Sequence, residues 1–94
     1  MFRRRSRLEI ILTILTNIRN GINKPTRIMY AANMSWRPVQ KILSTLMEQG
    51  LIEMRINTKS RQSRKQYVIK EKGINLLDYF DKANEIVPLE VLNA

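Results

Sequence analysis

Two groups of side chains in this sequence could do chemistry, and both would do it on an anion. Arg55, Lys59, Arg61, Arg64 and Lys65 fall within eleven residues, with Ser60, Gln62 and Ser63 between them. From Asn57 to Gln66 there is no apolar side chain to draw the segment onto a core and no carboxylate to neutralise it. Contact with phosphates or insertion into a minor groove suits such a stretch, whereas a purely solubilising loop is the plainer alternative. The second group is Arg37, Gln40, Lys41 and Ser44, which recur at helical spacing opposite Val39, Ile42 and Leu46. An arginine fork matches guanine, and a glutamine amide matches adenine. The plainer alternative here is a solvated helix face. Glu48 also faces outward, a turn or more beyond the end that would enter a groove.

Further cations surround these groups. Arg3, Arg4, Arg5 and Arg7 make a basic arm that either reaches a neighbouring groove or serves solubility alone. Arg27 is expected near the start of a short helix, where free backbone N–H groups already favour an anion. Trp36, the only tryptophan, could stack on a sugar or base, but its place beside an apolar stripe points first to packing.

Composition excludes more than it includes. The 94 residues contain no cysteine and no histidine, which removes thiolate and imidazole catalysis, disulfides and Cys/His zinc sites. No metal or cofactor is expected, and no enzyme: the four acidic residues before residue 73 are scattered, and no glycine-rich phosphate loop is present. No apolar run approaches the roughly 18 residues of a membrane span. The basic start is followed by an apolar stretch broken by Glu9, Thr13, Thr16 and Asn17, which does not read as a signal peptide. The expected location is cytoplasmic, with the nucleoid.

The elements that must position these residues are legible from periodicity. Ser6 with Glu9 reads as a capping box, and Leu8, Ile11, Leu12, Leu15 and Ile18 give a helix over 7–20 that Gly21 stops. Ile10 and Ile14 widen its apolar arc to roughly 200°, so it should be covered on two sides. An extended connector at 23–25 leads to a second helix over 27–33 capped by Thr26. Asn33 and Met34 form a tight turn. Ser35 caps a third helix whose first turn holds Pro38 and whose buried stripe is Val39, Ile42, Leu43, Leu46 and Met47, with Gly50 as its end. Residues 51–57 and 66–70 alternate as strands around the basic loop. A last helix runs from Gly73 to Val87, and Pro88 ends it. The order predicts an α+β, mainly α fold: a winged helix-turn-helix followed by a C-terminal helix.

Charge divides the chain. Residues 1–72 carry 16 basic and 4 acidic groups, a net +12, and residues 73–94 carry 1 basic and 4 acidic, a net −3. The first part is expected to be the DNA-binding unit and 73–94 the dimerisation helix with a short tail. Leu76, Tyr79, Ala83 and Ile86 follow 3–4 spacing, with Phe80 and Val87 alongside. A second copy of the chain is the expected cover for this apolar helix, and complete packing on its own domain is the alternative.

These segments also carry a resemblance. SRLEIILTILTNI (6–18), KPTRIMYAANMSWRPVQKIL (24–43), LMEQGLI (46–52) and YVIKEKGINLL (67–77) resemble the small basic archaeal winged-helix proteins of about ten kilodaltons described as chromatin-associated or regulatory. The likeness spans residues 4–87, and RIMYAANMSW is its most specific run. It implies a homodimer on double-stranded DNA, joined through the C-terminal helix in an antiparallel coiled coil. By position it puts Arg37, Gln40 and Lys41 on the recognition helix and Arg61 and Arg64 at the wing tip. Two departures stand out. Pro88 shortens the terminal helix, and the wing is longer and more basic, which moves affinity toward the wing.

The sequence therefore predicts a dimeric, duplex-binding transcriptional regulator. The alternatives are a chromatin protein with little sequence preference, or a winged helix that binds protein or RNA; the scarcity of free aromatic rings, Trp36 and Phe2 alone, counts against RNA. If about 6–8 phosphates are neutralised per site, log K falls against log salt with a slope of roughly −5 to −7. Fluorescence anisotropy of a labelled duplex at several salt concentrations measures it, and a slope near zero contradicts the reading.

Overall fold

The computed structural model describes residues 5–59 and 65–87. Six elements follow one another: α1 (Arg7–Arg19), α2 (Pro25–Ala31), α3 (Trp36–Glu48), β1 (Ile52–Ile56), β2 (Lys65–Ile69) and α4 (Glu71–Ile86). This is the expected winged-helix order with its additional helix.

Local chemistry sets the helix ends. The Ser6 hydroxyl accepts the Glu9 backbone N–H at 3.0 Å, the first half of a capping box. α2 starts two residues earlier than the spacing suggested. Pro25 sits at its first position with Lys24 as N-cap, and no side-chain cap is made, so Thr26 does not cap it. Proline prevails because its fixed φ suits the first helical turn and its missing N–H costs nothing there. Ser35 does hold the N-cap position of α3, but its side chain makes no capping hydrogen bond.

The first three helices close in the same way. After each, one residue adopts positive φ: Gly21 (94°), Asn33 (53°) and Gly50 (73°). The next amide then bonds back five residues, Ile22 to the Asn17 carbonyl at 2.9 Å, Met34 to Met29 at 3.1 Å and Leu51 to Leu46 at 2.9 Å. These are Schellman closures, which satisfy otherwise orphaned carbonyls and turn the chain sharply.

The core is built of aliphatic side chains. Ile14, Leu15, Ile28, Val39, Leu43, Leu46 and Ile52 are fully buried, and among the described residues no polar or charged side chain is buried with them. Each such side chain contributes roughly 1.5–3 kcal/mol by leaving water. α1 meets α2, β2 and α4, and Leu8, Ile10 and Ile11 pack against the core beside its buried residues. The expected cover on two sides is therefore present.

The hairpin is antiparallel, with Ile52 opposite Ile69, Met54 opposite Tyr67 and Ile56 opposite Lys65. Its inner end is tied down. The Tyr67 amide bonds the Asn23 carbonyl at 2.8 Å, and the Lys70 amide bonds Leu51 at 2.9 Å. Tyr67 is buried, and that burial pushes its phenol pKa up. Toward the outer end the same face leaves the core, so Met54 and Ile56 are exposed.

α4 begins at Glu71, not at Gly73. Gly73 is a packing residue inside the first turn rather than a boundary: a Cβ there would run into the Leu51 carbonyl oxygen and come within 2.8 Å of Ile69 Cγ1. Alanine would gain about 1 kcal/mol in helix propensity, but overpacking of this kind costs about 1–3 kcal/mol and involves backbone. Gly73→Ala is therefore expected to lower the urea midpoint with an unchanged m-value; an unchanged or raised midpoint would contradict the close approach.

Candidate nucleic-acid interface

α3 has one dry face and one wet face. Val39, Ile42, Leu43 and Leu46 are buried. Arg37, Lys41 and Ser44 are exposed and Gln40 is half-buried, so all four expected residues lie on the side away from the core. Between Ile10 and Met47 the sequence carries Arg19, Lys24, Arg27, Arg37 and Lys41 and no carboxylate. The outward face of α3 from Arg37 to Ser44 thus offers donors and one amide with no carboxylate among them, whereas Glu48 is exposed at its far end and Arg19, on α1, lies 3.7 Å from Asp81. Such a surface suits phosphates and base edges, since an ionised donor bonds an anionic oxygen more strongly than a neutral one does.

Arg5 and α2 lie beside the start of α3. Arg5 Nη2 donates to the Asn33 carbonyl at 3.4 Å, which seats Arg5 on the turn before α3. Arg3 and Arg4 lie outside the described residues. Arg27 is exposed in the first turn of α2.

The wing departs from expectation at one residue. Arg55 has an acidic partner: its Nε and Nη2 lie 2.8 and 2.7 Å from Glu53 Oε1. The two residues are on the same face of β1 because side chains two apart in a strand point the same way. The pair is exposed, so it contributes little to stability, yet it offsets one of the wing's cations. Asn57 Oδ1 accepts the Lys59 amide at 3.0 Å and starts the turn out of β1. Lys59 and Lys65 are exposed. Arg61 and Arg64, with Ser60, Gln62 and Ser63, lie outside the described residues, as does Pro88.

On α4 the six expected dimerisation residues divide. Leu76 and Phe80 already pack against the chain's own core. Ala83 and Val87 are half-buried. Tyr79 is 67% exposed and Ile86 83%, and the Tyr79 ring meets Phe80 edge-on with centroids 5.3 Å apart.

Three residues near the interface do something that periodicity did not suggest. Trp36, expected to pack, is exposed and stands outside the core cluster. Tyr30, near the end of α2, is 77% exposed. A helical wheel carried the signal for Tyr30, which lies two positions from buried Ile28 and so on the opposite side. Free aromatic rings are therefore more numerous than the sequence suggested. Lys72 Nζ donates to the Gln49 carbonyl at 2.7 Å, where a cation suits the end of α3.

Among the described residues no helix is long and apolar enough to cross a membrane, and no group of three or more potential ligands could hold a metal ion.

The family model described as winged helix-turn-helix matches residues 4–87. An uncharacterized protein of Methanocaldococcus jannaschii is 44% identical over 50 residues, which are 53% of this chain and 52% of that one. The chain thus spans about half the length of this relative. Among solved structures, Sso10a-2, a DNA-binding protein from Sulfolobus solfataricus, superposes with a TM-score of 0.70 at 29% identity, covering 87% of this chain and 81% of that one. The zinc-responsive MarR family member ZitR of Lactococcus lactis superposes with a TM-score of 0.70 at 21% identity, covering 98% and 61%. This last likeness is one of fold.

Freeing Arg55 tests the wing's electrostatics. Glu53→Gln is expected to tighten duplex binding about threefold at low salt and to steepen the log–log salt dependence by close to one unit. Anisotropy reads both, and an unchanged slope would mean that Arg55 does not face the polyanion.

Proposed function

The chain belongs to the winged helix-turn-helix family, and from that premise we propose that it is a dimeric transcriptional regulator that binds double-stranded DNA. The observation that carries the reading is the polar face of α3, set by the buried stripe behind it. The N-terminal half of α3 enters the major groove. Arg37 reads guanine and Gln40 adenine, while Lys41 and Ser44 hold the backbone or adjacent edges. The wing lies on the backbone and minor groove, with Lys59, Arg61, Arg64 and Lys65 neutralising phosphates and Arg55 doing so when it leaves Glu53. Arg27 takes a phosphate beside α2. Arg5, seated on the helix-turn-helix turn, leads Arg3 and Arg4 toward the next groove.

Two copies join through α4, within the segment 73–94. Tyr79 and Ile86 supply the exposed part of that interface, and Ala83 and Val87 its edge. The carboxylates of this segment then stay away from the DNA. The function is binding alone, needs no cofactor, and places the protein with the nucleoid in the cytoplasm. The DNA-binding archaeal neighbour and the fold shared with a MarR-family protein support the reading.

Base readers and phosphate binders respond differently to substitution. Arg37→Ala is expected to cost about 1–3 kcal/mol on the preferred sequence and to relax the preference at one position. Arg61→Ala with Arg64→Ala should weaken all sequences alike and flatten the salt slope by close to two units. Titrating selected and random duplexes with each variant separates the two. Equal losses on every sequence from Arg37→Ala would remove the base-reading role, and wild-type binding with no preference at all would make the protein a chromatin component. For the dimer, Ile86→Glu is expected to shift the sedimentation coefficient from dimer to monomer; an unshifted dimer would place the interface elsewhere.

A further inference from the structure

Beyond duplex recognition, we infer that the helix-turn-helix turn binds unpaired bases of single-stranded nucleic acid, with the Tyr30 and Trp36 rings as stacking platforms. Both rings are exposed, Tyr30 at 77% and Trp36 at 45%, and neither belongs to the core cluster. They flank one tight turn. Tyr30 ends its own part of α2 by accepting the Asn33 amide at 3.1 Å, Asn33 takes positive φ, and Trp36 opens α3. Arg5 is held on the same turn through the Asn33 carbonyl at 3.4 Å, and Arg37 follows Trp36 directly.

Ring exposure alone would fit an apolar partner. The charge beside these rings decides otherwise: Arg5 is bonded to the turn, Arg27 is exposed on α2, Arg37 follows Trp36, and the sequence from Ile10 to Met47 holds no carboxylate. A partner here must bring negative charge and flat apolar faces together, at close spacing. A polynucleotide does so, and in single strands the base faces are open to a ring, whereas in a duplex they are covered by their neighbours. Cationic grooves combined with stacking rings are the general means of holding single strands. The backbone phosphates would run past Arg5, Arg27 and Arg37, and the bases would turn onto the rings.

The sole tryptophan makes the test direct. The full chain is titrated with oligo-dT, oligo-U and a mixed-sequence duplex, following Trp36 emission and the anisotropy of the labelled nucleic acid. Single strands are expected to quench Trp36. Tyr30→Ala should weaken single-strand binding on the order of tenfold, Tyr30→Phe should restore it, and duplex binding should change less than about twofold. Quenching by oligo-dT alone would assign DNA, and quenching by both would assign single strands in general. Absence of quenching by either strand would overturn the inference, as would equal loss of duplex and single-strand affinity in Tyr30→Ala or equal loss in Tyr30→Ala and Tyr30→Phe. Loss of duplex binding in the unmodified protein, with single-strand binding intact, would overturn the regulator reading and leave this one standing.

Discussion

The rotation of α3 about its own axis is the constraint on which the rest of the molecule depends. Val39, Ile42, Leu43 and Leu46 are almost wholly removed from water, and at roughly 1.5–3 kcal/mol each they fix which side of the helix faces in. A turn of one residue would bring Arg37 or Lys41 toward the core, where burying a charge without a partner costs far more than the stripe supplies. The polar face is therefore outward because of what lies behind it. The helix direction is fixed separately, by the positive-φ residues Asn33 before it and Gly50 after it. Packing sets the roll and the two Schellman closures set the ends, so the side chains of α3 are presented by a rigid element.

The wing is placed by similar means at its inner end only. The bonds from Tyr67 to Asn23 and from Lys70 to Leu51 hold the base of the hairpin, and α4 locks it by approaching Leu51 closely at Gly73. Farther out the ladder continues while the core does not, which leaves Met54 and Ile56 in water. In the proposed reading α3 meets base edges and the wing meets phosphates.

Most of the fold was legible in the sequence because it rests on periodicity and on few special residues. The three-four spacing of α1 and α3, the alternation of β1, the helix ends at Gly21 and Gly50 and the turn at Asn33 all appear where they were expected. The outward placement of Arg37, Gln40, Lys41 and Ser44 follows from the same periodicity. What was not legible depends on contacts across the chain. The start of α2 turned on Pro25 prevailing over Thr26 as the organising residue, a competition that local preference alone does not rank. Gly73 looked like a helix boundary because its neighbour, the Leu51 carbonyl, is distant in sequence. Arg55 looked uncompensated because carboxylates were sought only from Asn57 to Gln66, beyond its same-face strand neighbour Glu53. Trp36 was assigned to packing from its place beside the apolar stripe, whereas the position of the core decides it.

Because the chain has no cysteine, a single introduced thiol can carry a photoreactive crosslinker to one chosen place. The most direct test of the account is to put that probe at residue 40, through Gln40→Cys on α3, and at residue 82, through Lys82→Cys on α4, and to irradiate each with duplex DNA. Crosslinks to bases are expected from residue 40 and none from residue 82. Crosslinks from α4 with none from α3 would mean that the polar face of α3 is not the surface that meets DNA.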